Sequence, residues 1–548
     1  MDAATHNEGL PATREPAAPA PAPAAQGWWR DAVIYQVYVR SFADSDGDGV
    51  GDLRGIRGRL PYLRALGVDA LWLTPFYASP QADGGYDVAD YRAVDPLFGG
   101  LADAEALLDD AHRLGLRVIV DIVPNHTSDR HAWFRAALAG DPTARARYHF
   151  RPGKGPDGAL PPNDWESVFG GPAWTRTADG DWYLHLFAPE QPDLDWDNPE
   201  VHAEFEAILR FWLTLGGRGV DGFRIDVAHG MVKAPGLPDI GRKEQARMIG
   251  AQELPFFDQD GVHAIHQGWR RLLESHGPDR IGVAEAWAPT TERLALYVRP
   301  DELHQAFNFH FLRCPWEAAA MRAVIEESMA ATTSVGAPTT WVLSNHDVVR
   351  HRTRLGSLER ARAAALLLLA LPGSVYLYQG EELGLPEVTA LPDEARQDPA
   401  FHRAARDGET TGQDGLRDGC RVPIPWKRDG GSYGFGPGGS WLPQPQEWGA
   451  LSVEAQTGDP DSTLELYRTA LRLRRELRTD TGETLAWLPV PPGVLALSRP
   501  GGLVCVLNTR DEPVEIPAPG RLLLASAPVG EDAGTARIAA NSCVWWAA

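Results

Sequence analysis

The sequence predicts an α/β protein: a (β/α)8 barrel of the TIM type, with a domain inserted after strand 3 and a C-terminal β-sandwich. Three observations carry this. Strand-like apolar runs alternate with segments of helical apolar spacing eight times from residue 31 onward. Two of the connections are too long to be turns. After about residue 480 helical spacing stops, and short strand-like runs divided by Pro and Gly take over in "GVLALSRPGGLVCVLNTRDEPVEI".

The eight strand-like runs are "VIYQVYV" (33), "ALWLTPF" (70), "RVIVDIV" (117), "GFRID" (222), "IGVAEAW" (281), "QAFNFHF" (305), "TTWVLSN" (339) and "SVYLYQG" (374). Helix candidates between them include "LADAEALLDDAHRLG", "VHAEFEAILRFWLTLG", "HAIHQGWRRLLESHG" and "SLERARAAALLLLALPG", and "STLELYRTALRLRREL" follows the last strand. Eight alternations in a chain of 548 residues favour a closed barrel over an open doubly wound sheet. The barrel is expected over 28–126 and 199–479, with an inserted domain at 127–198 and a loop-rich excursion at about 384–458. Residues 480–548 form the C-terminal β-domain, and the Pro/Ala-rich stretch 1–27 reads as a disordered tail without the apolar core of a secretory signal.

Composition narrows the function. With 52 basic against 74 acidic residues the chain carries a net charge of -22, which disfavours nucleic acid and anionic membranes and suits a neutral ligand. Its longest greasy stretch, "AAALLLLALPG", is much shorter than the ~20 residues that span a bilayer, so no membrane anchor is expected. The cysteines Cys314, Cys420, Cys505 and Cys543 have no C-x-x-C spacing, which points to neither a zinc-cysteine site nor a disulfide framework, and fits a reducing cytoplasm.

A barrel of this kind builds its site at the C-terminal ends of its strands. Strand 3 ends in "DIVPNH", strand 4 in Arg224 and Asp226, strand 5 in Glu285, and strand 7 in "NHD", with Asp347 last. Arg224 and Asp226, two apart in a strand, share a face and can touch. A single R-x-D is ordinarily a structural ion pair; three acids on one rim are costly unless chemistry uses them. Two carboxylates ~5–5.5 Å apart suffice for retaining glycoside hydrolysis. Asp226 beside Arg224 is expected to stay ionised and act as nucleophile, and Glu285 among apolar neighbours such as Val283 and Trp287 to keep its proton.

The stretches "DIVPNH", "GFRIDVAHG", "GVAEAW" and "VLSNHD", in this order, resemble the four characteristic regions of the α-amylase family, glycoside hydrolase family 13, and "QPDLDWDNP" and "LPGSVYLYQGEELG" look like two further signatures. The resemblance runs over nearly the whole chain after the tail. It implies cleavage of α-glucosidic bonds with retention, Asp226 as nucleophile, Glu285 as acid/base and Asp347 as transition-state stabiliser. "SPQADGGYDVADY", "LHLFAPEQPDLDW" and "GCRVPIPW" are similar to the oligosaccharide branch, the α-glucosidases and oligo-1,6-glucosidases. By that similarity Asp83 binds the terminal glucose, Tyr86 stacks on it, Phe187 flanks it, Arg421 closes the subsite, and His126, Arg224 and His346 hydrogen-bond the sugar. Asp195 stands where the branch usually has asparagine, with little expected effect. Val227, after the nucleophile, resembles α-1,6-specific relatives, yet the following "AHG" does not, so the linkage stays open.

"DSDGDGVGD" offers Asp44, Asp46, Asp48 and Asp52, with the Val50 carbonyl, as a hard-cation loop. It is not an EF-hand, because Gly55 occupies the twelfth position in place of the bidentate glutamate. A structural Ca2+ is expected there. The leading reading is an exo-acting α-glucosidase acting on short oligosaccharides, as a monomer or small homo-oligomer. Maltose and malto-oligosaccharides are the favoured substrates, and the rivals are an oligo-1,6-glucosidase, a relative that passes the glucosyl group to sugar (transglucosylase, trehalose synthase or sucrose isomerase) and, from another class, a non-catalytic ectodomain of a transporter accessory chain. The latter would call for a membrane helix and tolerate loss of the acids.

Overall fold

The computed structural model describes residues 27–241, 254–407, 416–477, 483–532 and 534–548. The expected disordered tail, but for its last residue, lies outside them.

Eight parallel strands form one sheet: β1 (Val33–Val37), β2 (Ala70–Leu73), β3 (Arg117–Ile122), β4 (Gly222–Ile225), β5 (Ile281–Ala284), β6 (Gln305–Ala306), β7 (Thr340–Val342) and β8 (Ser374–Tyr378). Each pairs with its sequence neighbours, and β1 pairs with both β2 and β8. A parallel bridge from Phe307 to Thr340 joins β6 to β7 and completes the ring. Outside run α1 (Leu53–Leu66), α2 (Leu101–Arg113), α3 (Pro199–Thr214), α4 (Val262–Ser275), α5 (Thr291–Leu296), α6 (Ala318–Ser334), α7 (Leu358–Ala370) and α8 (Thr463–Glu476), one after each strand.

The alternation of strand side chains splits the core in two. Val33, Tyr35 and Val37 of β1 pack outward with the helices, while Ile34 points inward with Trp72, Ile119, Val283 and Tyr376. Strand 6 is shorter than the run "QAFNFHF" predicts. Asn308 caps a helical turn, Phe309–Leu312, by accepting from the Phe311 N–H, and Phe309 stacks on Trp287 with ring centroids 3.6 Å apart. A local cap thus overrides an aromatic pattern that reads as strand.

Between β3 and α3 the chain forms a three-stranded antiparallel sheet (Phe150–Pro152, Trp174–Arg176 and Asp181–Leu184) and two short helices. Between β8 and α8 the described residues make helical turns such as Asp418–Arg421 and Val453–Gln456. The C-terminal strands form a five-stranded and a three-stranded antiparallel sheet. Val504, Val506 and Trp546 from one and Val514, Ile516 and Ile538 from the other share an apolar core, which makes the pair a sandwich.

Gly222 opens β4 because nothing larger fits there: a Cβ would stand 2.4 Å from the Ile281 carbonyl oxygen of β5. Gly222→Ala is expected to push β4 off β5 and cost about 1–3 kcal/mol, read as a lower melting temperature with a greater proportional loss of activity than of helical signal; an unchanged melting temperature would show that the strands yield freely.

Candidate active site

β4 delivers Arg224 and Asp226 to the barrel mouth, and the register sets Arg224 beside Asp121 of β3 and Val283 of β5. Arg224 is fully buried. Its Nη1 donates to Asp121 Oδ1 at 2.8 Å and to Asp226 Oδ1 at 2.5 Å, while Nη2 lies 2.9 Å from Glu285 Oε2. The Trp72 ring lies 5.0 Å from the guanidinium carbon. Asp121 also accepts from Trp72 Nε1 at 3.1 Å and from the Tyr86 hydroxyl at 3.0 Å.

One cation therefore serves three carboxylates. Burial pushes Asp226 well above the ordinary carboxylate range; Arg224 pulls it down, while Glu285, Asp121 and Asp347 push it further up. This corrects the expectation that Arg224 alone keeps Asp226 ionised, which counted one acid for the arginine where the fold supplies three. The surroundings of Glu285 differ too. Trp287, expected as an apolar neighbour, donates its Nε1–H to Oε1 at 3.0 Å, and the Val227 N–H donates to Oε2 at 2.9 Å. Val227 holds that amide in place with a φ of 45°, a strained conformation for a β-branched residue.

Asp347 lies in the loop after β7. Burial opposes its ionisation, but the cations Arg421, Arg417 and Arg224 outweigh that and hold it well below the ordinary carboxylate range. Arg421 Nη2 donates to Asp347 Oδ1 at 2.8 Å and its Nε to the His346 carbonyl at 2.9 Å. His346 stacks on Tyr86 with centroids 5.2 Å apart and accepts from the Gln36 amide at Nδ1, at 2.7 Å. Burial keeps its imidazole neutral.

Asp226, Glu285 and Asp347 line one small cavity together with Asp83, Tyr86, His126, Phe187 and His346, all named from the sequence. Gln191, Val227 and Arg417 complete the lining. Two residues expected to contact the sugar are not among its lining: Arg224 bonds Asp121 and Asp226, and Arg421 bonds Asp347. Arg417 takes the bounding position, donating to Asp83 Oδ1 at 2.7 Å and Asp347 Oδ1 at 3.3 Å, and anchored on Asp398 at 3.1 Å. It lies four residues before Arg421 in the same short segment, and no periodicity separates the two. Gln191 opens the signature "QPDLDW", so its signal was present; it donates to Asp83 Oδ2 at 3.2 Å and lies 3.1 Å from His126 Nε2.

In the acidic loop, Asp44, Asp46 and Asp48 gather, with ligand oxygens within 4.8 Å of one another. Asp52 does not join them: it caps α1, accepting from the Gly55 N–H at 2.7 Å, and its other oxygen accepts from the Ser45 N–H at 2.7 Å. Val50 donates its N–H to Asp48 Oδ1 at 2.8 Å. Asp48 is exposed, and partial desolvation, with Asp46, Asp44 and Asp52 adding to it and the Val50 N–H opposing, raises its pKa.

The profile described as alpha amylase, catalytic domain, matches residues 36–481. The chain belongs to the α-amylase family. Among its relatives are the oligo-1,6-glucosidase of Parageobacillus thermoglucosidasius, 35% identical over 82% of this chain and 84% of that one, and the probable alpha-glucosidase of Rhizobium meliloti (strain 1021), 38% identical over 88% and 90%. Among solved structures, the alpha-glucosyl transfer enzyme XgtA superposes with a TM-score of 0.84 at 36% identity, covering 94% of this chain and 99% of that one. The trehalulose synthase MutB of Pseudomonas mesoacidophila MX-45 gives 0.85 at 31% identity, covering 96% and 100%.

In this α-amylase-family site the buried acids leave a pH signature. Burial raises Asp121 from 3.8 to about 6, Arg224 pulling the other way. A carboxyl raised on folding lends stability that is full below its unfolded value and lost as pH rises through its folded one. The melting temperature of Asp121→Asn relative to the native chain should therefore rise between pH 4 and pH 6 and level off above; a difference that is flat or falls across that window would refute the shift.

Proposed function

We propose that this chain is a retaining, exo-acting α-glucosidase that removes single glucose units from the non-reducing ends of short α-glucosides. The observation that carries this reading is the meeting of three acids, from the ends of β4, β5 and β7, around one cavity bounded by Phe187, Gln191 and Arg417. A pocket bounded on that side admits a chain end and excludes the middle of a polymer. α-Glucosidase activity agrees with the names of the relatives, which differ among themselves in linkage, and the α-1,4 or α-1,6 preference is not assigned.

In this mechanism Asp226 attacks the anomeric carbon as Glu285 protonates the leaving oxygen, and the glucosyl group becomes esterified to Asp226. Glu285 then takes a proton from water, which attacks the same carbon and releases glucose, two inversions giving retention. Asp347, kept anionic, and Asp83, fixed by Arg417 and Gln191, grip the sugar hydroxyls. Positive charge developing on the sugar ring favours the Asp226 anion, countering the burial that raises this carboxyl in the free site. Transfer to a sugar in place of water uses the same intermediate; XgtA and MutB, whose printed descriptions name transfer and synthesis, make it the second reading. We infer a reducing cytoplasm from the spacing of the cysteines, and no helix among the described residues is long and apolar enough to cross a membrane.

Purified protein on maltose, isomaltose, sucrose, trehalose and an aryl α-glucoside should release mainly free glucose; transfer products in excess of glucose would favour the second reading. Glu285→Gln is expected to lose about 10²–10⁴-fold in kcat/KM on maltose, less on an aryl glucoside with a good leaving group, and to yield α-glucosyl azide when azide is added. The β-azide, or equal losses on both substrates, would remove Glu285 from the acid/base role.

We also assign a structural calcium ion to Asp44, Asp46 and Asp48. Three hard oxygen donors on a tight turn fit it, and an ion between them would relieve their mutual repulsion. Chelation should lower the melting temperature, calcium should restore it, and Asp46→Asn should abolish the response; a melting temperature indifferent to chelation would exclude the site.

A further inference from the structure

A second buried cluster lies behind the loop that carries Asp226, and hydrolysis does not use it. α4 places His263 and His266 three residues apart, on one face, opposite Glu302 in the segment between α5 and β6. His263 Nδ1 lies 2.9 Å and His266 Nδ1 3.9 Å from the same oxygen, Oε2 of Glu302. Arg299 Nε bonds the other oxygen, Oε1, at 2.8 Å, which leaves Oε2 to the imidazoles. His266 and Glu302 have no exposed surface, and His263 retains 6%.

Of the four ring nitrogens only His263 Nδ1 is hydrogen-bonded, to Glu302. Neither ring nitrogen of His266 makes a hydrogen bond, nor does Nε2 of His263, although the Ala228 carbonyl stands close to His266. Orphaned polar atoms at such depth call for water or an ion. A tetrahedral ion with bonds of about 2.0–2.2 Å sets its donors about 3.3–3.5 Å apart, a spacing that 2.9 Å and 3.9 Å bracket.

We propose that His263, His266 and Glu302 form a buried site for a divalent transition metal of the zinc class. Two imidazoles and one carboxylate suit zinc better than calcium, whose oxygen-rich loop lies elsewhere in the chain. The ion ties α4 to the connection before β6, on either side of β5. Since His266 neighbours Ala228, two residues beyond Asp226, the metal braces the loop holding the nucleophile and does not touch substrate.

The test uses tag-free, full-length protein stripped with chelator, equilibrated with zinc chloride in calcium-containing buffer, desalted and assayed for metal, with cobalt(II) as the spectroscopic probe. We expect about one zinc per chain, a tetrahedral cobalt absorption band and a raised melting temperature. His266→Leu should lose all three, Glu302→Gln should lose them too, and Asp46→Asn should keep them. Should His266→Leu fail to fold, Glu302→Gln carries the test. Absence of retained zinc and cobalt in the native protein, or retention undiminished in the cluster variants, overturns the proposal and leaves these imidazoles to buried water.

Discussion

One guanidinium shared by three carboxylates is the constraint on which the site depends. Arg224 is buried, and removing a partner from a buried ion pair typically costs about 3–5 kcal/mol. Its partners Asp121, Asp226 and Glu285 come from β3, β4 and β5. They converge only in the observed register, with Asp121 and Val283 flanking Arg224. A slip of one residue in β4 would turn Arg224 and Asp226 together toward the helices and leave Asp121 and Glu285 without their cation. Barrel register and catalytic geometry are therefore one condition, and Gly222, which lets β4 lie against β5, belongs to both.

Much of this was legible in sequence because it is periodic or terminal. Eight strands and the larger helices follow from apolar spacing, and the acids at strand ends follow from the barrel rule. What was not legible depends on distant partners. Arg417 and Arg421 look equivalent along the chain, and only the folded excursion shows that the first reaches Asp83, 334 residues away. Charge sharing at Arg224 was misjudged for the same reason, since Asp121 is 103 residues distant and Glu285 belongs to another strand. Local chemistry misled in two places. Asn308 capped a turn inside an aromatic run, and Asp52, spaced like a cation ligand, was used as a helix cap.

The two long connections do work that the barrel cannot. The inserted domain supplies Phe187 and Gln191, and the excursion after β8 supplies Arg417. Arg417 bonds Asp83 after β2, Asp347 after β7 and Asp398 of its own segment, joining three parts of the rim. Its planar fork suits this bridging, whereas a lysine would supply a point charge without the second and third bonds. Val227 shows the accompanying strain: a β-branched residue held at φ 45° so that its amide meets Glu285. Packing against Phe187 and Phe256 in one apolar cluster keeps it there.

The charge balance of the pocket then accounts for what it selects. Among the described residues, Asp83, Asp121, Asp226, Glu285, Asp347 and Asp398 share the cations Arg224, Arg417 and Arg421. Fully ionised, these acids outnumber the cations, and burial answers by raising Asp121 and Asp226. A neutral glucose unit does nothing to relieve that excess. A sugar ring that gains positive charge as its glycosidic bond breaks does relieve it, at the moment of reaction and not before. Interactions that strengthen only in the transition state are those that raise kcat. The crowding of acids that would be a fault in an ordinary core is, in this cavity, what makes it complementary to a glucosyl cation.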